Sequence, residues 1–194
     1  MITLRRVDLV KPISAFKFFQ LAWLSKPKSD RQIYKLIKQR QISSIVEIGL
    51  GDGIRCSNMI AVAQKFNTDA KIKYTGVDLF DARDEDETPL KLIEMHRKLN
   101  AINAKTQLVP GDIASTIPRI ANSHVRTDMI IISAGFENEG FEATQMFLPR
   151  MLHPSSVVLI QDYDDEEFEV YSRLEIEKMA SQSPSQTALE RKAA

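Results

Sequence analysis

The sequence predicts an α/β fold with a doubly wound, mostly parallel sheet, and three observations lead to it. Short β-branched or apolar runs alternate with segments of helical periodicity from residue 43 to residue 161. The glycine-rich turn Gly49–Gly53 joins the first such run directly to the first helical segment, and a later run ends on the acidic Asp78. Strands that alternate with helices form a parallel sheet with right-handed crossovers and helices on both faces.

Each element follows from its local pattern. Pro12 and Ser14 begin a first helix that continues to Leu24, and Asp30 caps a second helix. The first helix carries an aromatic stripe on one face, made of Phe16, Phe19 and Trp23. The predicted strands cover 43–48, 72–79, 105–109, 127–133 and 155–161. The other predicted helices cover 54–66, 88–100, 114–122, 141–151 and 166–180.

The turn after the first strand is the strongest indication of a ligand site. Glycine permits positive φ and close approach to the main chain, and a helix N-terminus offers unpaired N–H groups. In doubly wound sheets, ligands bind at the carboxyl ends of the strands, where an acid at the position of Asp78 commonly receives a ribose hydroxyl. Both features therefore predict one site at this edge of the sheet.

The spacing of the glycines excludes the nicotinamide fingerprint Gly-x-Gly-x-x-Gly, because the third glycine, Gly53, comes one residue early and Ile54 stands in its place. Glu47 ahead of Gly49, Gly51 and Gly53 instead resembles the first motif of the class I S-adenosylmethionine-dependent methyltransferases. The resemblance covers roughly residues 43 to 165, in the family's order and spacing.

Four later segments are also similar to that family. Asp78 and the following Leu79 occupy the place of the ribose-binding acid, and Pro110-Gly111-Asp112-Ile113 resembles the motif that flanks the adenine. The runs 127–132 and 157–163 resemble its fourth and fifth strands. The resemblance thus implies a Rossmann-like methyltransferase fold and an S-adenosylmethionine site at Glu47, Gly49, Gly51, Gly53, Asp78, Leu79, Asp112 and Ile113.

Structural roles remain open for the acids of this set. Glu47 could bind the methionine amino group or cap backbone amides, and Asp78 has the same two alternatives. Asp112 follows a glycine at a strand end, where turn chemistry alone favours aspartate. Arg55, at the start of the next helix, could reach a cofactor carboxylate or simply pack.

The catalytic motifs are depleted relative to similar small-molecule O-methyltransferases, which often bind a divalent cation. Ser133 and Gln161 stand where that group carries carboxylates, Phe136 stands in place of its histidine, and Asp162 alone is retained. One carboxylate with neutral oxygens is a poor Mg²⁺ site. We therefore expect no metal, and the only candidates for a catalytic role are Ser133 and Asp162.

The ends of the chain differ from its middle. Residues 1–40 form a basic helical segment, residues 41–180 the cofactor-binding domain, and residues 181–194 a tail that we expect to be disordered. The family normally closes with a β-hairpin of two further strands. No β-rich run follows Tyr163, so the sequence predicts that this hairpin is absent.

Charge and composition limit the partners. Residues 1–40 hold ten basic and two acidic residues, a net charge of +8, and the rest carries −8 because the whole chain is neutral. Such an arm suits nucleic acid or anionic lipid, but also the chain's own acidic part or a second subunit, and we favour the last two. No apolar run has the length of a membrane span, and the single Cys56 suits the reducing cytoplasm.

Two functions of different class remain. The first is a cytoplasmic S-adenosylmethionine-dependent methyltransferase that acts on a small molecule, at oxygen and without a metal. The second is a degenerate methyltransferase fold that serves as a cofactor-binding or protein-interaction module. A nucleic-acid methyltransferase is disfavoured because the Asn/Asp-Pro-Pro-Tyr/Phe type of motif is missing. A homodimer through the N-terminal helices is compatible with either function.

Overall fold

The structure is a computed structural model that describes residues 13–134, 141–161 and 166–182. Its strands are β1 (Ser44–Ile48), β2 (Lys73–Asp78), β3 (Lys105–Pro110), β4 (Thr127–Ile132), β5 (Leu152–Ile160) and β6 (Glu169–Ser172). Its α-helices are α1 (Ala15–Phe19), α2 (Ser29–Arg40), α3 (Ile54–Phe66), α4 (Leu92–Asn100), α5 (Ile113–Ile120), α6 (Phe141–Thr144), α7 (Leu148–Met151) and α8 (Arg173–Gln182). A π-helical turn (Gln20–Leu24) continues α1, and a 3₁₀ turn (Phe80–Ala82) follows β2.

The strands form one six-stranded sheet in the order β3-β2-β1-β4-β5-β6, in which β1 to β5 are parallel and β6 is antiparallel to β5. The strand order reverses between β1 and β4, as in the Rossmann-like fold. The predicted doubly wound, mostly parallel sheet is therefore confirmed.

The register of the central strands places the predicted site residues at one edge. Ile48 of β1 pairs with Val77 of β2 and with Ile132 of β4. The next residues along these strands, Gly49, Asp78 and Ser133, therefore lie side by side at the carboxyl edge.

Two buried clusters cover the two faces of the sheet, and successive strand residues alternate between them. Ile45 belongs to the cluster that packs under α2 and α3, whereas Val46 belongs to the cluster under α5 and α7. Side chains of a strand point alternately to the two faces, so β-branched residues at both positions are buried. This explains the continuous apolar runs from which the strands were predicted.

The C-terminal part departs from the predicted pattern. The helix expected over 166–180 begins only at Arg173, because Glu169–Ser172 pair with β5 as an antiparallel strand. The predicted helix was therefore wrong for these four residues, which form a strand. In the described range after them, residues 173–182 are helical, so a single added strand takes the place of a two-stranded hairpin there.

The N-terminal helix packs through a face other than its aromatic stripe. Phe18, Leu21 and Ala22 enter the cluster that also holds Ile33 and Ile45, and the Phe18 ring meets Phe66 at 4.8 Å between centroids. The helix thus docks on its own chain, but the predicted stripe of Phe16, Phe19 and Trp23 stays on the outside. No helix in the described ranges is long and apolar enough to cross a membrane.

Candidate functional site

The turn between β1 and α3 has the backbone shape that its glycines predict. Gly49, Gly51 and Gly53 have φ values of 80°, 59° and 69°, in the left-handed region that favours glycine. A Cβ built on Gly51 would meet nothing within 4 Å, so the main chain there is open to a ligand. A Cβ on Gly53 would lie 2.6 Å from Met95 Sδ, so this glycine allows α4 to pack closely.

Glu47 is fully buried at the end of β1 and forms an ion pair inside the protein. Arg55 Nε donates to Glu47 Oε1 at 2.6 Å, and the Tyr74 hydroxyl donates to Glu47 Oε2. Burial raises the pKa of Glu47 above its ordinary value, while the Arg55 charge and the Tyr74 hydrogen bond act in the opposite direction. Glu47 is thus held by Arg55 and Tyr74 at the end of β1, and its contact with a ligand stays a prediction.

Arg55 connects four parts of the fold beneath the glycine turn. Its Nη2 donates to the Gly49 carbonyl at 2.9 Å and to Ser133 Oγ at 2.6 Å, and its Nη1 lies 3.6 Å from Asp30 of α2. Burial alone would lower the pKa of Arg55, but Glu47 and Asp30 raise it above its ordinary value. The guanidinium therefore remains charged and bridges β1, β4 and the N-terminal segment.

Asp78 is likewise fully buried, and its carboxylate accepts four hydrogen bonds. The backbone N–H groups of Leu50 and Phe80 donate at 2.7 Å and 3.0 Å. Arg83 donates to both oxygens, from Nε at 2.7 Å and from Nη2 at 2.6 Å. Asp78 thus holds the glycine turn and the start of the 3₁₀ turn in place, and a two-pronged arginine covers its outer side.

The predicted adenine contacts have structural roles in this geometry. Asp112 is the N-cap of α5 and accepts from the Ser115 backbone N–H at 2.7 Å, a hydrogen bond that lowers the pKa of Asp112. Ile113 is buried in the core beneath α5, and Leu79 is half-buried where the 3₁₀ turn begins. Turn and capping chemistry therefore account for Asp112 without a ligand.

A cavity of about 260 Å³ lies between the glycine turn and the segment 83–88. This volume is slightly below the range of roughly 300–1,000 Å³ that is usual for small-molecule sites. Two arginine side chains occupy part of the wall. The lining residues are Gly49, Gly51, Arg55, Arg83, Glu87, Thr88, Ser133 and Ala134.

A larger cavity of about 340 Å³ lies at the opposite edge, beside Lys73, Lys105 and His124. His124 hydrogen-bonds Thr75 there at 2.9 Å, which is a structural contact between the loop after α5 and β2. Ligands of doubly wound sheets bind at the carboxyl ends of the strands. The smaller cavity beside the glycine turn is therefore the candidate site.

Of the two catalytic candidates, one is described and one is not. Ser133 Oγ donates to the Gly49 carbonyl at 2.9 Å and accepts from Arg55, so its hydroxyl is engaged at the cavity wall. Asp162 lies outside the described residues, as does Phe136. Within the described ranges, no three His, Cys, Asp or Glu side chains come together as metal ligands.

Three side chains of this site were missed or left undecided by sequence reasoning. Tyr74 lies on β2, whose apolar pattern predicts that its side chain is buried but gives no sign of a carboxylate partner. Asp30 was assigned only as a helix cap. Arg83 follows Asp78 by five residues within an acidic run, and a basic residue at that spacing is the only sequence signal for the pairing.

No protein-family model and no curated protein matches this chain. Several solved structures do, at low identity. A methyltransferase of Podospora anserina bound to S-adenosylhomocysteine is 12% identical, with a TM-score of 0.45 over 72% of this chain and 54% of its own. The chain therefore spans about half the length of that protein.

Two further structures are similar to the chain. An O-methyltransferase of tomaymycin synthesis from Streptomyces achromogenes, in complex with S-adenosylmethionine, is 16% identical over 89% of this chain and 78% of its own, with a TM-score of 0.48. A methyltransferase of mycinamycin biosynthesis, in complex with Mg and S-adenosylhomocysteine, is 17% identical over 75% and 37%, with a TM-score of 0.43. These likenesses are distant, and the residues of the site carry the functional conclusion below.

Proposed function

We propose that the protein is an S-adenosylmethionine-dependent methyltransferase that acts on a small molecule, at oxygen. The observation that supports this most is the open main chain at Gly51, at the point where the strand order reverses and beside the strand-end acid Asp78. The similar structures that hold S-adenosylmethionine or S-adenosylhomocysteine are consistent with this ligand.

The open glycine turn and the cavity beside it suit such a ligand, whereas the Glu47 and Asp78 carboxylates are already paired with arginines. In this proposal Gly49, Gly51 and the α3 N-terminus hold the amino-acid end, and Asp78 holds the ribose. The cofactor, when bound, supplies a methyl group activated on a sulfonium. The chain's own task is then to align the acceptor oxygen and remove its proton, for which Ser133 and Asp162 are the proposed residues.

Melting temperatures measured with S-adenosylmethionine, S-adenosylhomocysteine and NAD test this function. A ligand that binds only the folded state raises the melting temperature, and the rise grows with the ratio of its concentration to its dissociation constant. The first two ligands should stabilise the protein, and NAD should not. A shift with NAD alone would reassign the site to a dinucleotide.

The second candidate function is an interaction module built on a degenerate methyltransferase fold. The observation that favours it is that Glu47 and Asp78 are each already paired with an arginine of the chain. An interaction module that no longer binds the cofactor predicts no stabilisation by any of the three ligands. The same experiment therefore separates the two candidates.

We also propose that methyl transfer by this protein needs no metal. The support is the neutral Ser133 at the end of β4, where metal-dependent relatives of the resembled family carry a carboxylate. S-adenosylhomocysteine affinity and any methyl transfer should be unchanged in excess chelator. Activity that chelator removes and Mg²⁺ restores would contradict this prediction.

A homodimer through the N-terminal helices is proposed from the exposed aromatic face of Phe16, Phe19, Trp23 and Leu24, whose side chains are 46–69% exposed. Burying a large apolar side chain contributes roughly 1.5–3 kcal/mol of favourable free energy, which these side chains do not gain while they are in water. Sedimentation equilibrium should show a dimer for the wild type and a monomer for Phe16→Ser/Leu24→Ser. Because the faces are basic, salt should strengthen the association.

The matched control for this experiment is Ile93→Ser, which replaces a side chain on α4 that is 63% exposed and lies on another face. It should leave the dimer intact. A wild type that stays monomeric at high concentration and high salt would contradict the proposal.

A cytoplasmic location remains a proposal from the single cysteine, and nucleic acid binding is not expected.

A further inference from the structure

The Asp78 carboxylate has no acceptor capacity left for a ribose. An ionised carboxylate offers about four lone-pair positions. All four are used, two by backbone N–H groups and two by Arg83. Glu47, by contrast, accepts only two hydrogen bonds from the described residues, from Arg55 and Tyr74.

The Arg83 guanidinium and a ribose diol present the same pattern to a carboxylate. Each offers two adjacent donors, and Arg83 uses the two-pronged geometry that makes arginine–carboxylate pairs strong. The two backbone donors belong to the fold and cannot leave without opening the glycine turn. A ribose can therefore reach Asp78 only in place of Arg83.

Arg83 is placed to move with the segment that follows it. Its Nη1 donates to the Thr88 carbonyl at 2.6 Å, and its Nε lies 3.9 Å from Glu87. Residues 84–89 are exposed, and Glu87 and Thr88 line the same cavity as Arg83. Withdrawal of the guanidinium would therefore enlarge the cavity and leave the sheet unchanged.

We propose that Arg83 is the affinity-determining residue of the cofactor site, because it occupies the ribose position on Asp78 and must be displaced when the cofactor binds. This inference rests on the proposed function, since it takes the ligand to carry a ribose. The affinity of the wild type then equals the affinity of the open state multiplied by the fraction of molecules in which Arg83 has left Asp78. Arg83 acts through Asp78 and is not itself a catalytic residue.

The test measures ligand affinity by calorimetry, or by NMR titration for the weaker ligands, in the wild type, Arg83→Ala and Arg83→Lys. The ligands are S-adenosylhomocysteine, adenosine and 2′,3′-dideoxyadenosine. Arg83→Ala should bind the first two about tenfold tighter or more, because a closed state populated at 90% or above costs about that factor. Dideoxyadenosine, which lacks the two hydroxyls, should bind both proteins equally.

Arg83→Lys is a second variant that is less disruptive to the fold. It keeps the positive charge beside Asp78 but cannot form the bidentate hydrogen bonds of arginine. It should give an intermediate gain. The matched control is Arg97→Ala, an arginine on the exposed side of α4, which should change no affinity. Thermal melts confirm that each variant is folded.

Each outcome decides the inference. If the wild type binds and Arg83→Ala binds no tighter, the inference is wrong and the proposed function stands. An equal gain for dideoxyadenosine also overturns it, because the variant then only opens space. If neither protein binds any ligand, both the inference and the proposed function fail. Binding by Arg83→Ala alone supports the inference and assigns the wild type to the interaction-module function.

Discussion

Arg55→Met is expected to lower the free energy of unfolding by about 3–5 kcal/mol, the usual cost of leaving a buried charge without its partner. The Arg55 side chain is 12% exposed and its partner Glu47 is fully buried, so solvent cannot replace the guanidinium. The variant also leaves the Gly49 carbonyl and Ser133 without their shared donor. Urea unfolding followed by circular dichroism measures the change.

The double variant Glu47→Gln/Arg55→Met distinguishes a buried charge from lost packing. Removing both charges should restore part of the stability, because an apolar or neutral pair of similar volume is often tolerated where a single charge is not. Arg97→Met, on the exposed side of α4, is the control and should stay within about 0.5 kcal/mol of the wild type. A loss under about 1 kcal/mol for Arg55→Met would show that the ion pair is not the link between β1, β4 and α2 that its geometry indicates.

Gly51→Val is expected to weaken S-adenosylhomocysteine binding by more than about a hundredfold, equal to about 2.7 kcal/mol. The added side chain projects into the open space beside the turn, where the ligand would contact the main chain. The φ of 59° also strains any side chain there, so we expect about 1–2 kcal/mol of lost stability without loss of the fold.

Gly51→Ala separates these two effects, because it imposes the same left-handed strain with a much smaller side chain. It should lose most of the stability that Gly51→Val loses and less of the affinity. Calorimetric titration and thermal melts on the same samples give both quantities. Full binding by a folded Gly51→Val would place the ligand away from the turn.

The part of the fold that the sequence predicts is the part governed by local patterns. The strands β1, β2 and β4 are continuous apolar runs because helices cover both faces of the sheet, and each was predicted to within two residues at either end. The turn at Gly49–Gly53 and the acid at Asp78 were predicted together because strand ends of a parallel sheet share an edge. These local rules were enough to locate the candidate site.

The parts that could not be predicted depend on contacts between distant segments. Strand β6 is four residues of which Val170 is the only aliphatic one, and it forms because β5 offers a free edge. The face of α1 that packs is chosen by Phe66 and the neighbouring helices, and the periodicity of Phe16, Phe19 and Trp23 did not reveal it. Hydrophobic pattern alone does not say which of two apolar faces finds a partner.

The ion pairs that Glu47 and Asp78 form with arginines could also not be predicted from the sequence. Glu47 and Arg55 are eight residues apart across a turn, and Asp78 and Arg83 are five apart across a 3₁₀ turn. Neither spacing is a motif, and each pair forms because the backbone geometry at the end of its strand brings the two side chains together. The resemblance assigned these carboxylates to a ligand, whereas in the structure each already holds an arginine.

Calorimetric titration of the wild type with S-adenosylhomocysteine tests the central claim most directly. The site at the glycine turn predicts saturable binding of one ligand per chain, lost in Gly51→Val and retained in Arg97→Ala. Absence of binding at millimolar ligand by the folded wild type would contradict the claim that this is a methyltransferase cofactor site.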